Sequence, residues 1–155
     1  YTVRVLNEIL SGGMYGRLFM ELRERRGLCY GVGARYSASR DAGTFYTHAS
    51  TGPDRGPELM EVLLEELIHA ADNTSDDELV RARINLQTSL VLGEEGVSSC
   101  CSGNAGDWWL FGRIRSIAEI QSEIDKVSRE SILEYVRNHP FSPMSLVSLG
   151  SRRLD

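Results

Sequence analysis

The stretch that most constrains the fold is residues 21–51, where a helix end meets two alternating strands. An arginine-dense helical segment stops at Gly27, and glycine is the residue most often found just past a helix end. Residues 28–39 then alternate between two sets of positions, as a strand does. The turn sequence RDAG at 40–43 leads into a second alternating run at 44–51, which predicts an antiparallel hairpin. One face of the first strand is predicted to carry Leu28, Tyr30, Val32, Ala34 and Tyr36.

Apolar residues at helical spacing occupy most of the remaining sequence. Before the hairpin they predict helices at residues 2–10 and 14–26, and after it Pro57 begins the clearest helix of the chain. Ser75 and Glu78 have the spacing of a capping box at the start of the next helix. The predicted apolar stripe of the Pro57 helix is Leu59, Met60, Leu63, Leu64, Leu67, Ile68 and Ala71. Further helices are predicted up to Trp108 and Trp109, after the capping pair Ser116 and Glu119, and before Pro140.

A closing strand at residues 144–150 completes the predicted elements, which together indicate an α+β fold. We expect a mostly antiparallel sheet with helices packed on one face. Three strands make a small sheet, so the chain is expected to be truncated at its first strand, ahead of Tyr1. The 155 residues, of which 41% are hydrophobic, predict a single domain over residues 1–155.

Charge and sequence ends argue against several classes of function. The net charge of −5 argues against nucleic-acid binding, and no apolar run approaches the roughly 20 residues that span a membrane. The chain begins at Tyr1 without a basic and apolar leader, and we read it as a piece of a longer protein. The three cysteines, two of them adjacent, indicate reduced thiols and a cytoplasmic location rather than a disulfide framework.

Residue spacing does not predict a metal site or a nucleophile within this chain. The histidines are His48, His69 and His139, and no two of them lie three or four residues apart, the spacing that presents paired ligands from a helix. Ser98 and Ser99 have no nucleophile-elbow sequence around them. Zinc is therefore not expected to be bound by this chain.

Two stretches leave alternatives open. Cys29 follows three arginines, which would lower the pKa of its thiol, or it is a small hydrophobic residue that faces away from Tyr30. The sequence SGGMYGR at 11–17 precedes a helix. It would either bind an anion through free backbone amides or serve as a turn between two helices.

Arg23 and Tyr30 lie seven residues apart across the break at Gly27, where a helix end meets a strand start. A guanidinium offers a planar fork of donors to carbonyl oxygens, and a phenol offers one short donor to a developing oxyanion. Such a pair would bind a peptide and stabilise a transition state. The alternative is structural: Arg23 caps carbonyl groups and Tyr30 fills the core.

The sequence over residues 9–51 resembles the pitrilysin/insulinase-like zinc metallopeptidases, which include the mitochondrial processing peptidase and its bacterial relatives. The motifs that carry the resemblance are the glycine turn followed by RLF, and then LRERRGLCY. The similarity continues through SDDELVRARINLQTSLVLGEEG, GRIRSIAEI and the terminal SLVSLG, so it covers nearly the whole chain.

The resemblance implies a mechanism shared between two domains that enclose a chamber. Zinc is held in the other domain by an inverted H-x-x-E-H helix, where it polarises a peptide carbonyl and activates water with a glutamate as base. A domain similar to this one supplies an arginine and a tyrosine, which map onto Arg23 and Tyr30. Arg23 would hold the substrate backbone, and Tyr30 would donate a hydrogen bond to the tetrahedral intermediate.

Further expectations follow from the same resemblance. The parent enzyme would use zinc, whereas this chain lacks the H-x-x-E-H motif, would bind no zinc and would be inactive alone. Its partners would be a zinc-bearing domain or subunit, in a homodimer or heterodimer, and a peptide substrate, with no nucleic acid and no membrane. The arginines from Arg17 to Arg40 would line one wall and attract carboxylate-bearing substrates. The alternative function is that of a non-catalytic scaffold paralogue of the same family.

Overall fold

The computed structural model describes residues 1–72 and 74–151 and has the predicted α+β architecture. Its elements are α1 (Thr2–Ser11), a 3₁₀ turn (Gly13–Tyr15), a π-helical segment (Phe19–Arg25), β1 (Gly31–Ala38), β2 (Gly43–Ser50), α2 (Gly56–Ile68), α3 (Asp76–Glu94), α4 (Val97–Phe111), α5 (Ile117–Asp125) and α6 (Arg129–Asn138). No helix in the described ranges combines the length and the apolar character that crossing a bilayer demands.

Helix α1 is the centre of the core. Its predicted apolar face is buried, and Leu6 and Leu10 have no exposed surface. Complete burial of a leucine side chain contributes about 1.5–3 kcal/mol relative to exposure. The helix packs against β1 on one side and against α3 and α6 on others, so it joins the hairpin to the helical layer.

The segment after α1 begins as a 3₁₀ turn and ends as a π-helical segment, rather than as the one regular helix predicted for residues 14–26. The backbone N–H of Arg26 donates to the Glu21 carbonyl oxygen at 3.2 Å, a bond across five residues. Gly27 then adopts a φ of 58°, a left-handed conformation that favours glycine. The predicted helix end at Gly27 is therefore confirmed, and it turns the chain sharply towards β1.

The predicted hairpin is confirmed. Strand β1 pairs antiparallel with β2, from Gly31 opposite Ser50 to Ala38 opposite Gly43. The predicted common face of the first strand is wrong at its start, because Leu28 is buried whereas the Tyr30 side chain is 83% exposed. The ladder starts only at Gly31, so strand alternation does not apply to the residues of the bend.

Helix α2 buries a somewhat different stripe from the one predicted. Leu59 and Leu67 are buried as expected, but Ile68 is 55% exposed. Val62, which the prediction left out, is 4% exposed and belongs to the core. The helix ends at Ile68, and Ala71 beyond that end is buried as predicted.

The closing strand predicted at residues 144–150 is wrong. These residues have no regular secondary structure, and the Leu149 side chain is fully exposed. Within the described ranges the sheet contains only the two hairpin strands. A run of β-favouring residues forms a strand only where another backbone pairs with it, because isolated strands have unpaired hydrogen-bonding groups.

The predicted helix caps are confirmed. The Ser75 hydroxyl accepts a hydrogen bond from the Glu78 backbone N–H at 3.3 Å, and the Glu78 carboxylate accepts one from the Ser75 N–H at 2.8 Å. Ser116 likewise caps α5 by accepting from the Glu119 N–H at 3.2 Å. Each cap satisfies a donor that a helix start would otherwise leave unpaired.

Candidate functional site

The structure brings the side chains of Arg23 and Tyr30 together. The guanidinium carbon of Arg23 lies 5.1 Å from the centroid of the Tyr30 ring. The same carbon lies 4.8 Å from the ring of Phe19, one turn earlier in the π-helical segment. A cation over an aromatic face is attracted by the negative face of the ring. The guanidinium of Arg23 therefore contacts both rings.

Both side chains remain accessible. Tyr30 is 83% exposed, so the alternative in which it fills the core is wrong. The side chain of Arg23 is 39% exposed, and its Nε lies 4.0 Å from Glu24 Oε1, the limit of an ion pair. Among the described residues no hydrogen bond joins the Arg23 side chain to a backbone carbonyl, so the capping role also lacks support there.

The bend that carries Tyr30 is held by hydrogen bonds from both sides. The Gly27 N–H donates to the Arg23 carbonyl at 3.1 Å, which ends the helix. From the loop after β2, Arg55 Nη1 donates to the Gly27 carbonyl at 2.6 Å and Thr51 Oγ1 donates to the Leu28 carbonyl at 2.5 Å. These bonds fix the backbone between the two candidate residues.

An open cavity of about 500 Å³ adjoins this bend. Its walls come from the bend itself and from the loop between β2 and α2. The lining residues are Gly27, Leu28, Cys29, Tyr30, Ser50, Thr51, Gly52 and Arg55. Tyr30 thus stands at the edge of a space that is open to a ligand.

Cys29 belongs to the core rather than to the reactive groups of the site. It is 8% exposed, and burial raises the pKa of its thiol although the nearby Arg23 acts to lower it. The raised pKa leaves less thiolate at neutral pH, so the idea of a depressed thiol pKa is wrong. The alternative, a small hydrophobic residue facing away from Tyr30, is confirmed.

The histidines lie on separate elements. His48 stacks on Tyr46 with ring centroids 5.9 Å apart, and His139 stacks on Tyr135 at 4.6 Å. His69 Nδ1 lies 3.6 Å from an oxygen of Asp72 on the surface. In residues 1–72 and 74–151 no three histidine, cysteine or acidic side chains gather where a metal ion could be held. The donor set of these residues does not fit zinc.

The glycine-rich turn at 11–17 is occupied by internal contacts. The Gly12 N–H donates to the Glu8 carbonyl at 2.7 Å, and the Gly16 N–H donates to the Gly13 carbonyl at 3.2 Å. Ser11 Oγ accepts from the Ala34 N–H at 2.8 Å, which ties the turn to β1. These contacts support the alternative of a turn between helices over that of an anion site.

The arginines from Arg17 to Arg40 do not form one wall. Arg17, with only 9% of its side chain exposed, is bound to Glu78 by two hydrogen bonds of 3.1 Å. Arg40 lies over the ring of Trp109, 4.9 Å from its centroid, at the far end of the hairpin. The expected wall is therefore wrong for these two residues.

Two residues of this site, Arg55 and Thr51, are not among those predicted from the sequence. Thr51 follows β2 directly, whereas Arg55 is the last residue of the loop between β2 and α2. The register predicts the position of Thr51, because pairing Gly31 with Ser50 brings the next residue of the second strand next to the bend. The hairpin pattern gives no comparable signal for Arg55, which lies beyond the ladder.

The chain is similar to members of one protein family. Residues 1–86 match the family described as "Peptidase M16 inactive domain". A Rickettsia bellii protein named "Uncharacterized zinc protease" is 31% identical over 155 residues, which is 100% of this chain and 38% of that protein. A Streptomyces coelicolor protein, also named as an uncharacterized zinc protease, is 32% identical over 139 residues, 89% of this chain and 30% of the relative. The chain spans about a third of the length of these relatives.

Solved structures show the same fold. A crystal structure described as a peptidase M16 inactive domain from Pseudomonas fluorescens has a TM-score of 0.75 and 23% identity, covering 89% of this chain and 33% of that one. A chain of Complex III2 from Candida albicans has a TM-score of 0.78 and 17% identity, covering 89% of this chain and 35% of that one. The family match and the shared fold agree with the resemblance to pitrilysin-like zinc peptidases, and the chain belongs to the peptidase M16 inactive-domain family.

Proposed function

We propose that this chain is the substrate-binding and transition-state-stabilising domain of a zinc-dependent endopeptidase. The observation that carries the proposal is the contact between the accessible side chains of Arg23 and Tyr30, with Tyr30 at the edge of an open cavity. The names of the relatives, which describe them as zinc proteases, support the reaction class. Zinc, held by another domain or subunit, would polarise the scissile carbonyl and activate water.

Tyr30 is proposed to act on the charge that develops during the reaction. Its hydroxyl would donate to the oxygen of the scissile carbonyl, and this donation strengthens as negative charge accumulates there. The ring lies on the Arg23 guanidinium, which limits its rotation, and the Tyr30 N–H donates to the Ser50 carbonyl at 3.1 Å. The hydroxyl would therefore be oriented before the substrate arrives.

Arg23 is proposed to bind the substrate backbone. Its guanidinium has a planar set of five N–H donors, which suits the carbonyl oxygens of an extended peptide. The contact with Glu24 reaches only 4.0 Å, so these donors remain available to a ligand. Replacement of Arg23 by methionine would raise KM, because it removes binding that is present in both the ground state and the transition state.

The proposed partner is a zinc-bearing domain or subunit that faces Tyr30 across a closed chamber. Among the described residues this chain offers no metal cluster, so the attacking water and its base would come from that partner. The isolated chain is accordingly proposed to be inactive. Assembly as a homodimer or a heterodimer would bring the two halves together.

The test is the Tyr30→Phe variant in the complete protein with its zinc-bearing partner. We expect kcat to fall by about 10²-fold with little change in KM, because only the transition state loses its donor. Tyr46→Phe is the matched control, since Tyr46 is an exposed tyrosine (59%) of the same hairpin and should keep full turnover. Unchanged turnover in Tyr30→Phe would contradict the role.

The second candidate is a non-catalytic scaffold paralogue. The observation that favours it is the TM-score of 0.78 with a chain of Complex III2, because one fold serves different functions. The same reconstitution separates the two candidates. A complete assembly that hydrolyses no peptide, and whose formation is insensitive to Tyr30→Phe, supports the scaffold.

A further inference from the structure

We propose that Arg55 forms a subsite for an acidic side chain of the peptide substrate, in the cavity beside Tyr30. This inference rests on the proposed function, because Tyr30 is what assigns the cavity to a peptide substrate. It goes further by naming the class of side chain that the site prefers. The observations that carry it are the position, the anchoring and the charge of the Arg55 guanidinium.

The guanidinium is fixed at the wall of the cavity. Arg55 lies in the loop between β2 and α2, and its Nη1 donates to the Gly27 carbonyl at 2.6 Å. A guanidinium has five N–H donors, so this bond leaves others for a ligand. An anchored arginine loses less rotamer freedom when a ligand binds than a free one does, which favours a defined subsite.

Arg55 is the charged residue among the eight that line the cavity in the described structure. The side of the bend is apolar, with Leu28 and Cys29 buried beneath it. A carboxylate entering this space would form charge-assisted, paired hydrogen bonds with the guanidinium. A basic side chain would be repelled by Arg55, and an amide of the same size would gain only neutral hydrogen bonds.

The position of the cavity places the acidic residue close to the cleaved bond. Tyr30 lines the cavity and is proposed to contact the scissile carbonyl, so the subsite serves a residue within a few positions of that bond. Arg26, next to Gly27 in sequence, is exposed but does not line the cavity. The variant Arg26→Gln is therefore a control, because it removes one positive charge close to the cavity without changing a residue that lines it.

The experiment uses the complete protein and pairs of peptides that differ only by Glu or Gln, with the pair scanned through three positions on each side of the cleaved bond. The ratio of kcat/KM for Glu over Gln is measured for wild type, Arg55→Gln, Arg55→Lys and Arg26→Gln. The same peptide pairs, labelled with a fluorophore, are titrated by anisotropy against metal-depleted protein, which gives a ratio of Kd without turnover. Thermal unfolding of each variant verifies that it folds.

We expect a preference of about tenfold for Glu at one position in wild type, the size of one charge-assisted hydrogen bond, and a ratio near one in Arg55→Gln. Arg55→Lys should retain part of the preference because it keeps the charge, and Arg26→Gln should retain all of it. Tyr30→Phe should keep the ratio while lowering kcat, so a failure of the Tyr30 role is seen separately from a failure of the subsite. The inference is overturned if no position prefers Glu in either assay, if Arg55→Gln keeps the preference, or if Arg26→Gln removes it equally.

Discussion

The guanidinium of Arg17 contacts several acceptors at once and joins two parts of the helical layer. Its Nε and Nη2 each donate to the Glu78 carboxylate at 3.1 Å, and its Nη1 donates to the Ala70 carbonyl at 3.0 Å. The Glu78 side chain also caps α3 through Ser75. One carboxylate therefore serves both a local cap and a long-range ion pair. Removal of either charge would leave the other one partly buried without an opposite charge beside it.

The first prediction concerns this ion pair. Burial acts to raise the pKa of Glu78, but hydrogen bonds from Arg17 and Ser75 outweigh it, so the pKa is lowered in the folded protein. A lowered folded-state pKa means that the stabilisation is present above the unfolded value of 4.5 and is lost as the pH falls through the folded value. Arg17→Met should lower the free energy of unfolding by about 2–4 kcal/mol at pH 7. It should also weaken the loss of stability below pH 4.5 that Glu78 causes.

Urea denaturation of Arg17→Met and wild type at pH 7 and at about pH 4 measures the loss of stability and its dependence on pH. Arg25→Met is the matched control, because Arg25 is 66% exposed in its pair with Glu21, and such surface pairs contribute little. Equal destabilisation by the two variants would show that the Arg17 contact has no special role.

Neighbouring residues at the bend show what a sequence can predict about single side chains. The chemistry of Arg23 and Tyr30 predicts a site, and the structure places Tyr30 at an open cavity with the Arg23 guanidinium against its ring. The exposure of Tyr30 together with the burial of Leu28, two residues earlier, is not predictable from periodicity. Because the bend lies outside the strand ladder, neither the helical nor the strand period applies there.

At the scale of elements, the predictions that rest on interactions within a few residues are confirmed. The cap at Ser75, the helix end at Gly27 and the hairpin all depend on neighbours in sequence. The strand predicted at 144–150 failed because a strand needs a partner that the local sequence does not specify. The π-helical segment Phe19–Arg25 was missed because its residue pattern is also compatible with an α-helix.

The second prediction compares two glycines in different elements. Gly27 has a φ of 58°, and an added Cβ would meet only Arg55 Nη1, at 3.9 Å. Gly27→Ala should therefore destabilise the protein by about 1 kcal/mol through backbone strain rather than through a clash. Gly103, inside α4, has open space around an added Cβ and no left-handed φ, so Gly103→Ala should stabilise by about 0.5–1 kcal/mol.

Chemical denaturation of both variants gives the two changes in the free energy of unfolding with opposite signs. The free energy of unfolding of Thr51→Val is measured in the same way. This variant keeps the shape of the side chain but removes its donor to the Leu28 carbonyl, so it compares the loss of one hydrogen bond at the bend with the strain in Gly27→Ala. If Gly27→Ala were neutral, the left-handed conformation of the bend would not be needed for the fold.

On the scale of the whole molecule, burial is unevenly distributed. Helix α1 has five buried residues, whereas α4 has none. Trp108 and Trp109 of α4 are 65% and 63% exposed, although the helix is apolar on several sides. Elements with few buried contacts open at a lower free energy than the core, so α4 should be the more easily opened part.

A partly buried ion pair links α4 to the rest of the chain. The guanidinium of Arg115 binds the Asp107 carboxylate through Nη2 at 2.6 Å and Nε at 3.0 Å, and it also donates to the Tyr1 hydroxyl. It lies over the ring of Phe111, 4.1 Å from the centroid. Arg115 thus joins the end of α4 to the start of α1.

The third prediction concerns the ion pair between Arg115 and Asp107. Arg115→Met should increase amide hydrogen exchange in Val97–Phe111 by about tenfold or more, because it leaves Asp107 partly buried without its partner. Exchange in the second half of α1, around Leu10, should stay unchanged because that part lies in the core. Arg113→Met is the matched control, since Arg113 lies in the same connection but pairs with Glu119 at the surface. Mass spectrometry of the exchanged peptides measures the exchange of both helices in the wild type and in the two variants. A uniform increase across α1 and α4 in Arg115→Met would show that the two helices open together instead.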